Sequence, residues 1–191
     1  MEFAVLLLTP LLGSLLLAVW GARPRAAEIN IALSFGTFLA AAAVTARVIN
    51  EGNLTAANEQ FFLDPFNVFL VTLTAFVGLT TAIFSRPYMR YVCETGMTNE
   101  RGMRIYHAMY QAFMFTMLLA LTTNNMGILW VAMEAATLAT VLLVSVYRTA
   151  ASLEAAMAIE NRNQLMTAAS PNFAEGMRAF LEKRRPDYLP D

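Results

Sequence analysis

The sequence predicts an all-α, polytopic membrane protein, with about five transmembrane helices and a short C-terminal amphipathic helix. Three observations predict it. The 191 residues are 58% hydrophobic and only 14% charged, against about 25% charged in a typical soluble domain. The apolar residues fall in long unbroken runs, and nearly every charge sits in a short connector between them. Connectors that carry Arg alternate with connectors that do not, a sorting that the bilayer imposes and a soluble bundle has no reason to show.

A membrane helix needs about 20 apolar residues, within a range of about 17–25. The runs that meet or approach this are Phe3 to Trp20, Ile29 to Ile49, Phe66 to Phe84, Ala108 to Thr123 and Gly127 to Tyr147. The first is expected to be a span; a secretory leader is the alternative, against which stands the lack of a basic start, since only Glu2 precedes the run. Its Pro10 is tolerated within a membrane helix. In the second run Gly36 and Ala40 have the small-xxx-small spacing of a close helix contact. The fourth run is short and opens beside Tyr106, His107 and Tyr110. "NNM" turns the chain into the fifth. Alternation of apolar and polar residues never runs long enough for a membrane β-barrel.

Orientation follows from Arg. Arg23 and Arg25 follow the first run, Arg86, Arg90, Arg101 and Arg104 follow the third, and Arg148 follows the fifth. The connector from Asn50 to Pro65 and the turn after the fourth run have neither Lys nor Arg. The N-terminus is therefore expected outside and the end of the fifth run in the cytoplasm. Residues 1–150 form the transmembrane region, and residues 151–191 form a polar cytoplasmic tail.

One residue stands against its surroundings. Glu134 lies inside "ILWVAMEAATLATVLL". A charged side chain near the centre of a membrane helix costs about 2.5–3.5 kcal/mol on insertion scales, and such residues mark ion and proton routes. Burial raises a carboxyl pKa and a nearby cation lowers it, so a carboxylate beside a movable positive charge can change its protonation. Thr137 lies one turn later on the same face and Trp130 one turn earlier. The spans offer no basic partner of their own, so a partner for an ionised Glu134 must come from another helix or subunit. The competing role is a protonated Glu bridging two helices. His107 is a further candidate for a proton route, although a lone His at a helix end is more often structural.

Other chemistry finds no motif. The single Cys93 permits no internal disulfide and has no His or Cys at ligand spacing. Nucleotide and haem signatures are absent. A net charge of −1 gives no reason to expect nucleic acid. The cluster from Arg86 to Arg104 fits a topology signal, or a docking point for a peripheral enzyme arm.

"FSRPYMRYV", "FTMLLALTTNNMGILWVAMEAATLATVLLVSVYRT" and "SLEAA" together resemble the N-terminal part of the antiporter-like, proton-translocating membrane subunits. These occur in NADH:quinone oxidoreductase and in membrane-bound hydrogenases, and the nearest resemblance is to the hydrogenase-4 component F type. The likeness covers roughly residues 1–155 and is specific from Ile83 to Ala155. It implies that Glu134, within "WVAMEAATL", matches the family's fifth-helix glutamate, a proton-path carboxylate paired with a lysine on a later helix. It also implies a multi-pass place in the inner (cytoplasmic) membrane beside other membrane and peripheral subunits of such a complex. The chain's partners are then those subunits and the lipid bilayer, and redox cofactors belong to the partners, with none in this chain. The lysine-bearing helices of the family have no counterpart here.

The tail changes character from about Ala158. Asn172 and Glu175 have capping-box spacing. Phe173, Met177, Phe180 and Leu181 share a helical face, and Pro186 stops the helix after Lys183, Arg184 and Arg185. "FAEGMRAFLEKRRPDY" is similar to the C-terminal helix of the enoyl-CoA hydratase/isomerase family, without that family's catalytic glutamates. Two functions are therefore expected of the chain. It is either an N-terminal fragment of a membrane subunit in a redox-driven proton-translocating complex, or a truncated, inactive membrane remnant fused to a hydratase fragment.

Overall fold

The computed structural model describes residues 2–57 and 59–147, together with residues 175, 178, 179, 182, 184 and 185. The chain divides into two compact units, Met1–Arg148 and Thr149–Asp191.

The first unit holds five helices: α1 Glu2–Trp20, α2 Ala26–Glu51, α3 Pro65–Glu94, α4 Glu100–Thr122 and α5 Met126–Val144. All five are long and apolar enough to cross a membrane. The fold is that of an all-α polytopic membrane protein. Its outer surface says the same thing. Leu12, Leu15 and Val19 of α1 and Phe66, Phe69 and Phe84 of α3 are each about 60–80% exposed, an apolar skin that water would penalise and lipid tails accept.

Two helix boundaries depart from the sequence reading. The third helix runs ten residues beyond Phe84, carrying Arg86 and Arg90 on its last turns. The fourth starts at Glu100, eight residues before Ala108. Apolar length measures the hydrocarbon crossing, whereas a helix continues through the headgroup layer until a cap or a breaker ends it. Here Asn99 supplies the start of α4, its side chain accepting from the Gly102 amide at 2.9 Å. His107 is therefore two turns inside a helix and not at its start.

Caps fix the other starts. Asp64 accepts from the Asn67 amide at 2.7 Å and Pro65 takes the first helical position of α3, where its missing N–H leaves nothing unbonded. Asn125 accepts from the amides of Gly127 and Ile128 and so begins α5.

The connector between α2 and α3 folds into an antiparallel hairpin, β1 Leu54–Ala56 paired with β2 Phe61–Leu63. The "NNM" turn docks on it. The Asn124 amide donates to Gln60 O at 2.7 Å, and the Asn125 side chain donates to Gln60 Oε1 at 3.0 Å. Hairpin and turn together close one end of the bundle.

Helices α1 to α4 form a ring in which each packs on the next and α4 returns to α1, while α5 packs on the outside of α4. The core joins Leu6 and Leu7, Ala41, Val44 and Val48, Val68 and Val71, and Leu118. The close approaches occur at Gly13, Gly21 and Gly78. A side chain at Gly36 would meet only Thr9 Cγ2, at an ordinary 3.8 Å, so the spacing of Gly36 and Ala40 does not mark a tight helix crossing within this unit.

In the second unit Glu175, Arg178 and Ala179 are helical. The Arg184 guanidinium pairs with Glu175 and with Glu182, which raises its pKa further above the ordinary arginine value. Phe173, Met177, Phe180 and Leu181, the expected apolar face, lie outside the described residues, as do Asn172, Lys183 and Pro186.

Candidate functional site

The arginines collect at the end of the ring opposite the hairpin. Arg86 of α3 pairs with Glu28 at the start of α2, and Arg90 approaches the same carboxylate at 4.0 Å. The backbone of Gly21, just after α1, sits directly on Arg104 of α4. Arg23, two residues further on, lies over the Trp20 ring at 4.8 Å. At the hairpin end Arg47 is held by Glu2 and Glu51. The antiparallel ring therefore sorts its charge as the connectors do.

Glu134 sits on α5, about 12 Å along the helix from Met126 at 1.5 Å per residue. The contact stripe of α5 is small: Ala132, Ala136 and Ala139, all buried. Their spacing of four and three residues sets one face against α4. Glu134 lies about 200° around the helix from Ala132, at 100° per residue, which is the far side. Its side chain is half-buried. Trp130, one turn before, is 65% exposed. The Thr137 hydroxyl donates to Met133 O of its own helix at 2.9 Å. Among the described residues no hydrogen bond or ion pair to Glu134 is found. The carboxylate is thus half-buried on the side of α5 away from its alanine stripe, with no bond to a described residue.

His107 occupies a different place. It is 2% exposed, and its Nδ1 lies 3.1 Å from Gly21 O and 3.0 Å from Met103 O. Its ring meets Tyr106 edge-on. The contact with Gly21 ties the end of α1 to the second turn of α4. The structure does not bring His107 to Glu134: one is on α4 near the arginine end, the other on the outward face of α5.

Sequence reasoning missed a buried polar seam between α2 and α4. Gln111 Nε2 donates to Asn30 Oδ1 at 2.8 Å, to Ser34 Oγ at 3.2 Å and to Asn30 O at 3.2 Å. Asn30, Ser34, Thr37 and Gln111 are all 1–2% exposed, and Gln111 Oε1 has no partner among the described residues. Tyr110, beside Gln111, donates to Gly78 O of α3. The signal was present: Asn30, Ser34 and Thr37 recur at four and three residues along one face of α2. Among the described residues no three His, Cys, Asp or Glu side chains gather as a metal site.

Comparison with known proteins finds a relative. This chain is similar to a hydrogenase-4 component F homolog. That protein is from Methylacidiphilum infernorum (isolate V4), and the two are 35% identical over 192 aligned positions, which take in 94% of this chain and 39% of the relative. No family model matches. The chain thus spans about two-fifths of the length of the relative it matches. The likeness is to part of that relative, and the five helices long and apolar enough to cross a membrane are those of a multi-pass membrane protein. The alignment leaves out only about 6% of the chain, fewer residues than lie beyond Ala156, so it continues into the polar tail. Nothing in the comparisons supports a likeness of that tail to the enoyl-CoA hydratase/isomerase family.

Proposed function

We propose that this chain contributes to proton translocation in a redox-driven membrane complex of the hydrogenase or quinone-reductase kind, and that Glu134 is its proton-carrying residue. The observation that carries the reading is the placement of Glu134. A carboxylate inside an apolar membrane helix is energetically unfavourable, and this one lies on the side of α5 away from the alanines that pack against α4. Were it interhelical glue within this unit, it would point at α4, where Ala132, Ala136 and Ala139 stand instead. Its location suits a cationic partner supplied by another helix or subunit.

The similarity to a hydrogenase-4 component F homolog supports the class of complex, with other membrane and peripheral subunits as partners and with the redox cofactors carried by those subunits. The sorting of the arginines supports an N-terminus outside and an arginine-bearing end in the cytoplasm, hence an inner-membrane setting. The hydrogen bond of His107 to Gly21 O favours a strap between α1 and α4 over a proton carrier. Thr137, bonded to its own helix, shapes the face beside Glu134 and does not hold the carboxylate.

The test is Glu134→Gln in the assembled complex. Gln keeps the shape and hydrogen-bonds, but it takes up no proton at physiological pH. Proton uptake is followed in inverted membrane vesicles, with the chain's abundance measured by immunoblot. The expected result is impaired uptake at normal abundance. Uptake at the wild-type rate, at equal abundance, refutes the role.

A further inference from the structure

The end of α1 and the first turns of α4 enclose a groove of about 260 Å³, lined by Ala18, Ile105, Ala108 and Met109, with Arg101 and Arg104 at its mouth. The two arginines stand three residues apart on one helix face. Among the described residues neither makes an ion pair. Their counterparts do: Arg86 and Arg90 share Glu28, and Arg47 is bracketed by Glu2 and Glu51. Even Glu100, one turn before Arg104, is not paired with it. The groove is also held in shape. Gly21 lies on the Arg104 backbone and accepts from His107, so the wall formed by α1 and the arginine-bearing turn of α4 cannot part without breaking that strap.

We infer that this groove is a binding site for an anionic phospholipid, its phosphate held by Arg101 and Arg104 and an acyl chain lying along Ala18, Ile105, Ala108 and Met109. Charge and shape both select that occupant. Guanidinium forks match phosphate oxygens in a bidentate way, and basic pockets between membrane helices at this level take such headgroups. The apolar wall below the arginines complements a hydrocarbon chain, which an acidic peptide lacks. A zwitterionic lipid brings its own ammonium toward two guanidiniums and is disfavoured. The site is distinct from Glu134 and does not depend on proton transfer.

The full chain, purified in a neutral detergent, is titrated with phosphatidylglycerol or phosphatidylcholine, and bound lipid is counted by native mass spectrometry. Wild type should retain the anionic lipid in preference to the zwitterionic one. R101Q/R104Q should weaken retention of phosphatidylglycerol about 30-fold, given the attraction contributed by each arginine at a membrane surface. Ala18→Phe fills the groove with every charge in place at an exposed position, so it should also weaken retention. R23Q/R25Q removes the same charge at the same end but outside the groove and should weaken it less. Equal retention of the two lipids by wild type overturns the assignment and points to an acidic protein partner. An unchanged Ala18→Phe variant, or an R23Q/R25Q loss equal to that of R101Q/R104Q, also overturns it.

Discussion

Replacing Gly21 with Ala tests the packing of α1 on α4, because the added methyl has nowhere to go. Its Cβ would lie 3.0 Å from Arg104 Cα and 3.3 Å from Arg104 O, and closer still to Leu17 O. All three obstacles are backbone atoms, which do not rotate out of the way. Ordinary contact begins at about 3.4 Å, so α4 must withdraw by several tenths of an ångström at Arg104. That movement also stretches the 3.1 Å approach of His107 to Gly21 O. Overpacking of this kind costs about 1–3 kcal/mol, and a lost hydrogen bond between membrane helices adds about 0.6 kcal/mol. Against these stands the reduced freedom of the unfolded chain, about 0.4–1 kcal/mol. The net expectation is a destabilisation of about 1–3 kcal/mol.

The control is Gly36→Ala. There the new methyl meets only Thr9 Cγ2 at 3.8 Å, inside a helix where Ala is favoured over Gly by about 0.5–1 kcal/mol. The two substitutions, alike in chemistry, should therefore differ in sign. Both are measured by titrating the chain from mild detergent into dodecyl sulfate and following helicity by circular dichroism. A Gly21→Ala midpoint at or above wild type, or a larger loss at Gly36 than at Gly21, refutes the reasoning.

Asn125→Ala removes a cap that accepts from two amides, and should lower stability in the same titration by about 1–2 kcal/mol; an unchanged midpoint would mean that water replaces the cap at no cost. Alkaline phosphatase fused after Arg25 or after Arg101 should be inactive, and after Glu59 active, because positive connectors stay in the cytoplasm; activity after Arg101 with none after Glu59 reverses the orientation.

The five crossings were legible because hydrocarbon thickness sets a length that apolar runs must match. The ends of α3 and α4 were not. Beyond Phe84 and before Ala108 the residues are polar and aromatic, suited to headgroups, and hydropathy does not register a helix there. The hairpin escaped for another reason. Each strand has three residues, too few for alternation to be counted, and its docking partner is the distant Asn124–Asn125 turn. Glu134 could be read from the sequence because an ionisable residue in an apolar run is conspicuous. Gln111 could not, since an amide in a helix gives no sign of whether it faces lipid or Asn30.

The contrast between those two polar sites bears on function. Along α2 and α4 the bundle meets the demand that buried polar groups be bonded: Gln111 Nε2 reaches both Asn30 and Ser34, Thr37 donates to Leu33 O, and His107 is tied to Gly21. Such residues fix helices in place. Glu134 is built differently. Its helix meets α4 through three alanines, so the contact neither needs nor uses the carboxylate. Removing Glu134 should leave the bundle standing, whereas removing Gln111 should loosen it. A carboxylate away from the alanine contact, in a membrane helix at a cost of some kcal/mol, is what the proposed proton role calls for. On the proposed reading the proton is carried by Glu134, and the α2–α4 seam is scaffold.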